Sequence, residues 1–135
     1  MRYLLDTNII SNLVRRFPSP NLIRHMNETS LTERAICTIT LAELLYGALR
    51  VPEAQKYIAP INQIAKSMKI FTFDEKAARR YAEIHAYLDQ GGQPIGNADT
   101  QIASVALARK LILVTHNVRH FARIPQLTVE IWIDQ

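Results

Sequence analysis

Three carboxylates stand where short apolar runs give way to polar residues. Asp6 closes Tyr3-Leu4-Leu5 and begins an Asp6-Thr7-Asn8 turn. Glu43 lies just past the run Ala35–Ile39, one turn into a helix that Thr40 is expected to open. Asp99 falls in the first turn of a helix carrying Ile102 and Ala106, and the run Leu111–Val114 ends in Thr115-His116-Asn117. Carboxylates brought within hydrogen-bonding distance repel, and their pKa values rise unless something neutralises them. A hard divalent cation does so: Mg²⁺ takes oxygen ligands, keeps several waters, and is usually held by one or two carboxylates plus substrate phosphate. No Cys or His cluster has the spacing of a zinc site. The chain carries 16 Lys plus Arg against 12 Asp plus Glu, a formal charge of +4 that suits a polyanionic partner. An acidic, metal-loaded pocket on a basic protein points to phosphodiester chemistry, in which a metal activates water and stabilises charge on the leaving oxygen.

Each acid also has a purely structural explanation. Thr40 and Glu43 fit the S/T-x-x-E capping box, Asp99 would favour the positive end of its helix, and Asp6 would cap the segment starting near Ile9. The case for a site rests on their convergence. In an open parallel sheet, ligands bind outside the carboxyl ends of the strands, where all three acids are expected.

The elements that would bring them together are legible as alternating patterns. Five apolar runs, Tyr3–Leu5, Ala35–Ile39, Ile70–Phe73, Leu111–Thr115 and Val129–Ile133, are mostly continuous, as in strands buried on both faces. Between them, Leu41, Leu44, Leu45, Ala48 and Leu49 repeat at helical spacing, as do Ala77, Tyr81, Ile84 and Leu88. The stretch from Glu53 to Met68 is amphipathic, and its Pro60 is expected to kink it or to open a second helix. This alternation predicts an α/β fold, a three-layer α/β/α sandwich built from βαβ crossovers.

With 135 residues, 48% of them hydrophobic, and no linker or repeat, one domain spanning 1–135 is expected. The single Cys37 sits in an apolar run and reads as a small buried hydrophobe in a reducing compartment. The apolar N-terminal stretch is too short for a signal peptide or membrane span, so a cytoplasmic protein is expected.

Four segments taken together resemble the PIN-domain family, and within it the VapC-like toxins of bacterial toxin–antitoxin pairs. They are Tyr3-Leu4-Leu5-Asp6-Thr7-Asn8-Ile9-Ile10, Thr40-Leu41-Ala42-Glu43-Leu44-Leu45-Tyr46-Gly47, the Ile95-Gly96-Asn97-Ala98-Asp99 stretch continuing to Ala103, and Leu113-Val114-Thr115-His116-Asn117 continuing to Phe121. Order and spacing agree over essentially the whole chain. The resemblance implies a metal-dependent endoribonuclease with a parallel five-stranded sheet. It implies Asp6, Glu43 and Asp99 as direct or water-mediated ligands of Mg²⁺ or Mn²⁺ and as the catalytic set, with Thr7, Asn8 and Thr115 in support. The family often has a fourth acid where this chain has Asn117, whose amide offers one neutral oxygen. It also implies an RNA substrate, a cognate antitoxin that covers the site, and a homodimer, with Leu45, Tyr46 and Leu49 contributing to those contacts.

Arg119, His120 and Arg123 stand close behind Asn117 and could line the path of an RNA backbone, whereas Arg15-Arg16, Arg79-Arg80 and Arg109-Lys110 read as solvated helix surface. A haloacid-dehalogenase-like phosphatase needs a second acid where Asn8 stands, and a receiver domain needs a lysine that Thr115-His116-Asn117 does not supply. The alternative from another class is a catalytically weak RNA- or protein-binding module, with Asn117 as the mark of lost chemistry. A pure binder of polyanions gains nothing from three clustered acids.

Overall fold

The computed structural model describes residues 2–133, so the outermost residues of the expected domain, Met1, Asp134 and Gln135, lie outside it. Five strands, β1 (Tyr3–Leu5), β2 (Arg34–Cys37), β3 (Lys69–Phe71), β4 (Ile112–Val114) and β5 (Val129–Glu130), pair in parallel in the order β3-β2-β1-β4-β5. The helices are α1 (Thr7–Leu13), α2 (Pro20–Glu28), α3 (Thr38–Leu49), α4 (Ala54–Ser67), α5 (Glu75–Gln90), α6 (Asn97–Arg109) and α7 (Val118–Phe121).

The pleat sorts the apolar residues into two cores. Tyr3, Leu5, Ile36 and Val114 face one way and pack with Ile9, Ile10, Leu22, Leu44, Ala48 and Ile61 from α1 to α4. Leu4, Ala35, Cys37 and Leu113 face the other way and pack with Ala77, Ile84, Leu88, Ile102, Ala103, Val105 and Ala106 from α5 and α6. Alternate residues of one strand thus feed opposite layers, which makes the sheet the middle of a three-layer α/β/α sandwich. Ala103 and Ala106, fully buried, let the axis of α6 lie close to the strands. Cys37 is buried, and burial raises its thiol pKa, as suits a packing role.

Because β1 neighbours both β2 and β4, the chain winds outward from it in opposite directions. The carboxyl ends of β1 and β4 therefore form the topological switch point. Their register aligns Leu5 with Val114, and the Asp6 N–H continues the ladder by donating to Val114 O at 2.9 Å.

Four local expectations need correction. The helix after β2 starts at Thr38 with Cys37 at its N-cap, so Thr40 does not open it and no capping box forms with Glu43. Thr38 and Ile39, assigned to the apolar run by composition, turn into the helix. The amphipathic stretch forms one helix, α4, with Pro60 in its interior rather than at the start of a second. The run Val129–Ile133 supplies only two ladder residues, yet Trp132 stays buried, stacked on His25 and edge-on to Tyr3 at centroid separations of 5.0 Å.

The four-residue α7 is held to the core by Phe121, which is fully buried. Truncating it leaves a large cavity, so Phe121→Ala is expected to lower stability by about 3–5 kcal/mol. Phe17→Ala, at an 80% exposed ring, should change it by no more than about 0.5 kcal/mol. Urea denaturation of the two variants checks this; equal midpoints would mean α7 is not anchored through Phe121.

Candidate functional site

Asp6 leaves β1 in extended geometry and serves as the N-cap of α1, its Oδ1 accepting the Thr7 N–H at 2.7 Å. Its other oxygen, Oδ2, accepts the Thr115 hydroxyl at 2.7 Å, across the switch point from the end of β4. The Asn117 N–H in turn donates to Thr115 Oγ1 at 3.0 Å. The cap and the site are therefore the same group. Asp6 is 2% exposed, and burial pushes its pKa from 3.8 up to about 6. The hydrogen bonds from Thr115 and Thr7 pull it back, while the nearby charges of Asp99 and Glu43 raise it further.

Those charges act because α3 and α6 deliver both acids to the same edge. Glu43 projects from α3, where its Oε1 accepts the Thr7 hydroxyl at 2.6 Å. Thr7 thus joins two acids, through its N–H to Asp6 and its hydroxyl to Glu43. Thr40, fully buried within the helix and 3.5 Å from Thr7 Oγ1, lies under this contact rather than at a helix end. Asp99 sits in the first turn of α6, after Gly96, whose φ of +98° at the N-cap is one that L side chains rarely adopt. Its Oδ2 lies 3.4 Å from His120 Nδ1.

The expected supporting residues divide into two groups. Thr7 and Thr115 hold acids directly. Asn117 reaches Asp6 only indirectly, its backbone N–H bonding the Thr115 hydroxyl, and the residue borders the cleft beside α7. Asn8 is exposed and lines a separate polar cleft next to Ser11 and Arg15. Sequence reasoning missed the bridging role of Thr7, the burial of Thr40 and the approach of His120 to Asp99. The first two follow from Thr7 lying next to the cap, and from Thr40 and Glu43 being one helical turn apart inside the helix as well as at its end.

The donors at this edge are carboxylate, hydroxyl and amide oxygens with one imidazole, His120, beside Asp99, a predominantly oxygen set that suits a hard cation better than a soft one. Among the described residues no three His, Cys, Asp or Glu side chains close around a common point as a ready cage. The set fits an ion anchored by one or two carboxylates that retains most of its water, the usual habit of Mg²⁺.

The fold and this edge define a class. Residues 3–127 match the PIN domain, and the chain belongs to the PIN-domain family. Within it, the chain is VapC-like. It is 34% identical to the ribonuclease VapC2 of Haemophilus influenzae over 133 residues, covering 98% of this chain and 99% of that one. It is 32% identical to the tRNA(fMet)-specific endonuclease VapC of Salmonella typhimurium, with 98% of each chain covered. The fold superposes with a TM-score of 0.90 and 34% identity on a chain of VapBC2 from Rickettsia felis bound to a promoter DNA fragment, covering 98% and 99% of the two chains.

The raised pKa of Asp6 has a consequence for stability. The fold keeps the Asp6 proton up to about pH 6, whereas the unfolded chain loses it near 3.8. Between those values the folded state binds more protons, so this group's contribution falls as pH rises through the window. At 1.36 kcal/mol per unit the full penalty, present above about pH 6, is about 3 kcal/mol. Asp6→Asn removes it but leaves an amide less able to satisfy both donors, so a net gain of about 1–2 kcal/mol is expected at neutral pH in metal-free buffer. The gain should vanish as pH falls towards 4. Denaturation midpoints across pH test it, and parallel curves for wild type and variant would rule out a raised Asp6 pKa.

Proposed function

We propose that the protein is a Mg²⁺-dependent endoribonuclease that hydrolyses RNA phosphodiester bonds, acts as a toxin, and is neutralised by a cognate antitoxin. The observation that carries this reading is the approach of Glu43 and Asp99 to Asp6 at the switch point, with Asp6 held by Thr115 and joined to Glu43 through Thr7, and Asp99 near enough for its charge to act on Asp6. The resemblance to proteins named ribonuclease and endonuclease VapC supports the reaction.

Asp6, Glu43 and Asp99 would hold Mg²⁺ or Mn²⁺, directly or through water. When bound, such an ion lowers the pKa of its water and stabilises charge developing on the phosphate and leaving oxygen. The protein's own part is positional. Thr7 and Thr115 fix the carboxylates so that ligand oxygens need little reorganisation, and burial of Asp6 strengthens every electrostatic interaction around it. Asn117, at the place of a fourth acid, leaves the cluster one charge less negative.

An apolar groove of about 370 Å³ runs beside Glu43 between α1, α3 and α4, lined by Leu44, Ala48, Val51, Tyr57 and Ile61. We assign it to the antitoxin, in line with the VapBC complexes among the structural relatives. Tyr46 and Leu49, 64% and 66% exposed on α3, fit the expected homodimer contact. No helix among the described residues is long and apolar enough to cross a membrane. Action on cytoplasmic RNA by a one-domain chain completes the reading.

The test is cleavage of total RNA, and of a transfer RNA pool because the Salmonella relative is named for one, by antitoxin-free protein with Mg²⁺, Mn²⁺ or EDTA. Discrete metal-dependent fragments are expected. Asp6→Asn and Asp99→Asn should each lower the rate by about 100-fold or more, the scale seen when a transition-state-stabilising group is lost. Asn117→Asp should tighten Mg²⁺ binding if its side chain reaches the ion. RNA bound but uncut in either metal would favour the binding-module reading instead.

A further inference from the structure

The distribution of arginine partners, taken with that reading, bears on how RNA would be held. The chain has eleven arginines. Eight are engaged: Arg24, Arg79, Arg80 and Arg109 with carboxylates, Arg34 with main-chain oxygens, and Arg2, Arg16 and Arg50 against aromatic rings. The other three, Arg15, Arg119 and Arg123, make no ion pair, side-chain hydrogen bond or ring contact among the described residues. Arg119 and Arg123 border a cleft of about 700 Å³ beside α7, which they share with His120, and His120 reaches Asp99. Arg15 borders another of about 530 Å³ beside α1 and also rims the groove that contains Glu43. The two clefts share His116 as a wall.

Arg15 is placed by design of the backbone, not by chance of a free helix end. Its N–H donates to Asn12 O at 3.1 Å, and the buried Asn12 side chain accepts the Ser19 N–H at 2.8 Å, folding the 15–18 segment back on α1. Arg119 lies on α7, which Phe121 anchors. Arg15 is solvated, as expected, but it lies just past α1 rather than on a helix, at the rim of a cleft.

We infer that Arg15 on one side of the acids and Arg119 with Arg123 on the other form a two-armed track for the phosphate backbone of RNA, positioning a strand across Asp6, Glu43 and Asp99. An unpaired guanidinium can take a phosphate bidentately without first giving up a partner. No Phe, Tyr or Trp lines either cleft, so the large aromatic platforms of single-strand readers are not part of their lining. Recognition along the track is electrostatic and largely indifferent to sequence. Arg15, Arg119 and Arg123 are positioning residues; the acids carry the chemistry.

The test measures binding of two short labelled RNAs of unrelated sequence in the Asp6→Asn background with Mg²⁺, and cleavage kinetics in the otherwise wild-type chain. Each of Arg15→Ala, Arg119→Ala and Arg123→Ala is expected to weaken binding of both RNAs about equally and to reduce the slope of log affinity against log salt by about 0.7–1. In cleavage, KM should rise several-fold with kcat little changed. Lysine at the same positions should restore the salt slope, and Arg79→Ala, which removes an arginine paired on α5, should change nothing. An unaltered salt slope and KM in the triple alanine variant would overturn the track while leaving the nuclease intact. Loss confined to one RNA would overturn it in favour of base reading, and binding of an acidic peptide with equal affinity would overturn it in favour of a protein partner. A slope lost as expected, in a parent chain that never cuts RNA, would keep the track and remove the nuclease.

Discussion

A buried carboxylate at the switch point of a parallel sheet is the constraint around which this molecule is arranged. Asp6 loses its water when β1 is covered on both faces, and an ionised carboxylate without partners would be costly there. Two donors offset the cost, the Thr7 N–H that opens α1 and the Thr115 hydroxyl that ends β4. Each is present only if the strand registers with its neighbour and the following helix starts on time. The sheet, the first helix and the β4 turn are therefore tied together at one side chain.

The layers then explain which acids can reach Asp6. α3 follows β2 and α6 precedes β4, so the strands on either side of β1 are each connected to a helix passing over the same edge. Glu43 and Asp99 come from opposite layers of the sandwich, one belonging to the core under α1–α4 and one to the core under α5 and α6. Neither layer alone could assemble the cluster. Small residues matter here: Ala103 and Ala106, fully buried, let α6 pack close to the sheet, and its first turn carries Asp99 near enough for its charge to act on Asp6.

Much of this was legible in the sequence because the driving patterns are local. Continuous apolar runs mark strands buried on both faces, and Asp6, Glu43 and Asp99 stand out because polar residues interrupt those runs where helices begin. What was not legible depended on tertiary partners. Thr40-x-x-Glu43 has the spacing of a capping box, but the same spacing joins successive turns inside a helix, and only the covering of Thr40 by α1 decides between them. α2 carries little apolar signal, burying only Leu22, yet Ser19 capping and Pro20 at its first position suffice to start it. Arg15 looked like any exposed arginine. Its setting depends on Asn12 closing a turn onto Ser19, a contact that no periodicity announces.

The charge pattern that results is segregated in a way that a polyanion-cleaving reading requires. A phosphate strand cannot approach three clustered carboxylates unless their charge is met, and a hard divalent ion would leave the three acids one negative charge in excess. A fourth acid at position 117 would leave two. The amide found there lowers the local repulsion that an incoming phosphate meets, at the expense of one anionic ligand. The remaining repulsion is met from outside the cluster. Because Asp6 and Glu43 take their hydrogen bonds from hydroxyl and amide donors rather than from guanidinium groups, no arginine is spent neutralising them internally. Arg15, Arg119 and Arg123 are left with their charge facing the clefts, where each phosphate contact would release counterions and add affinity. Acid at the centre and unpaired arginine at the flanks are thus two sides of one arrangement: the donors that orient the carboxylates are neutral, so the cations remain free for the strand.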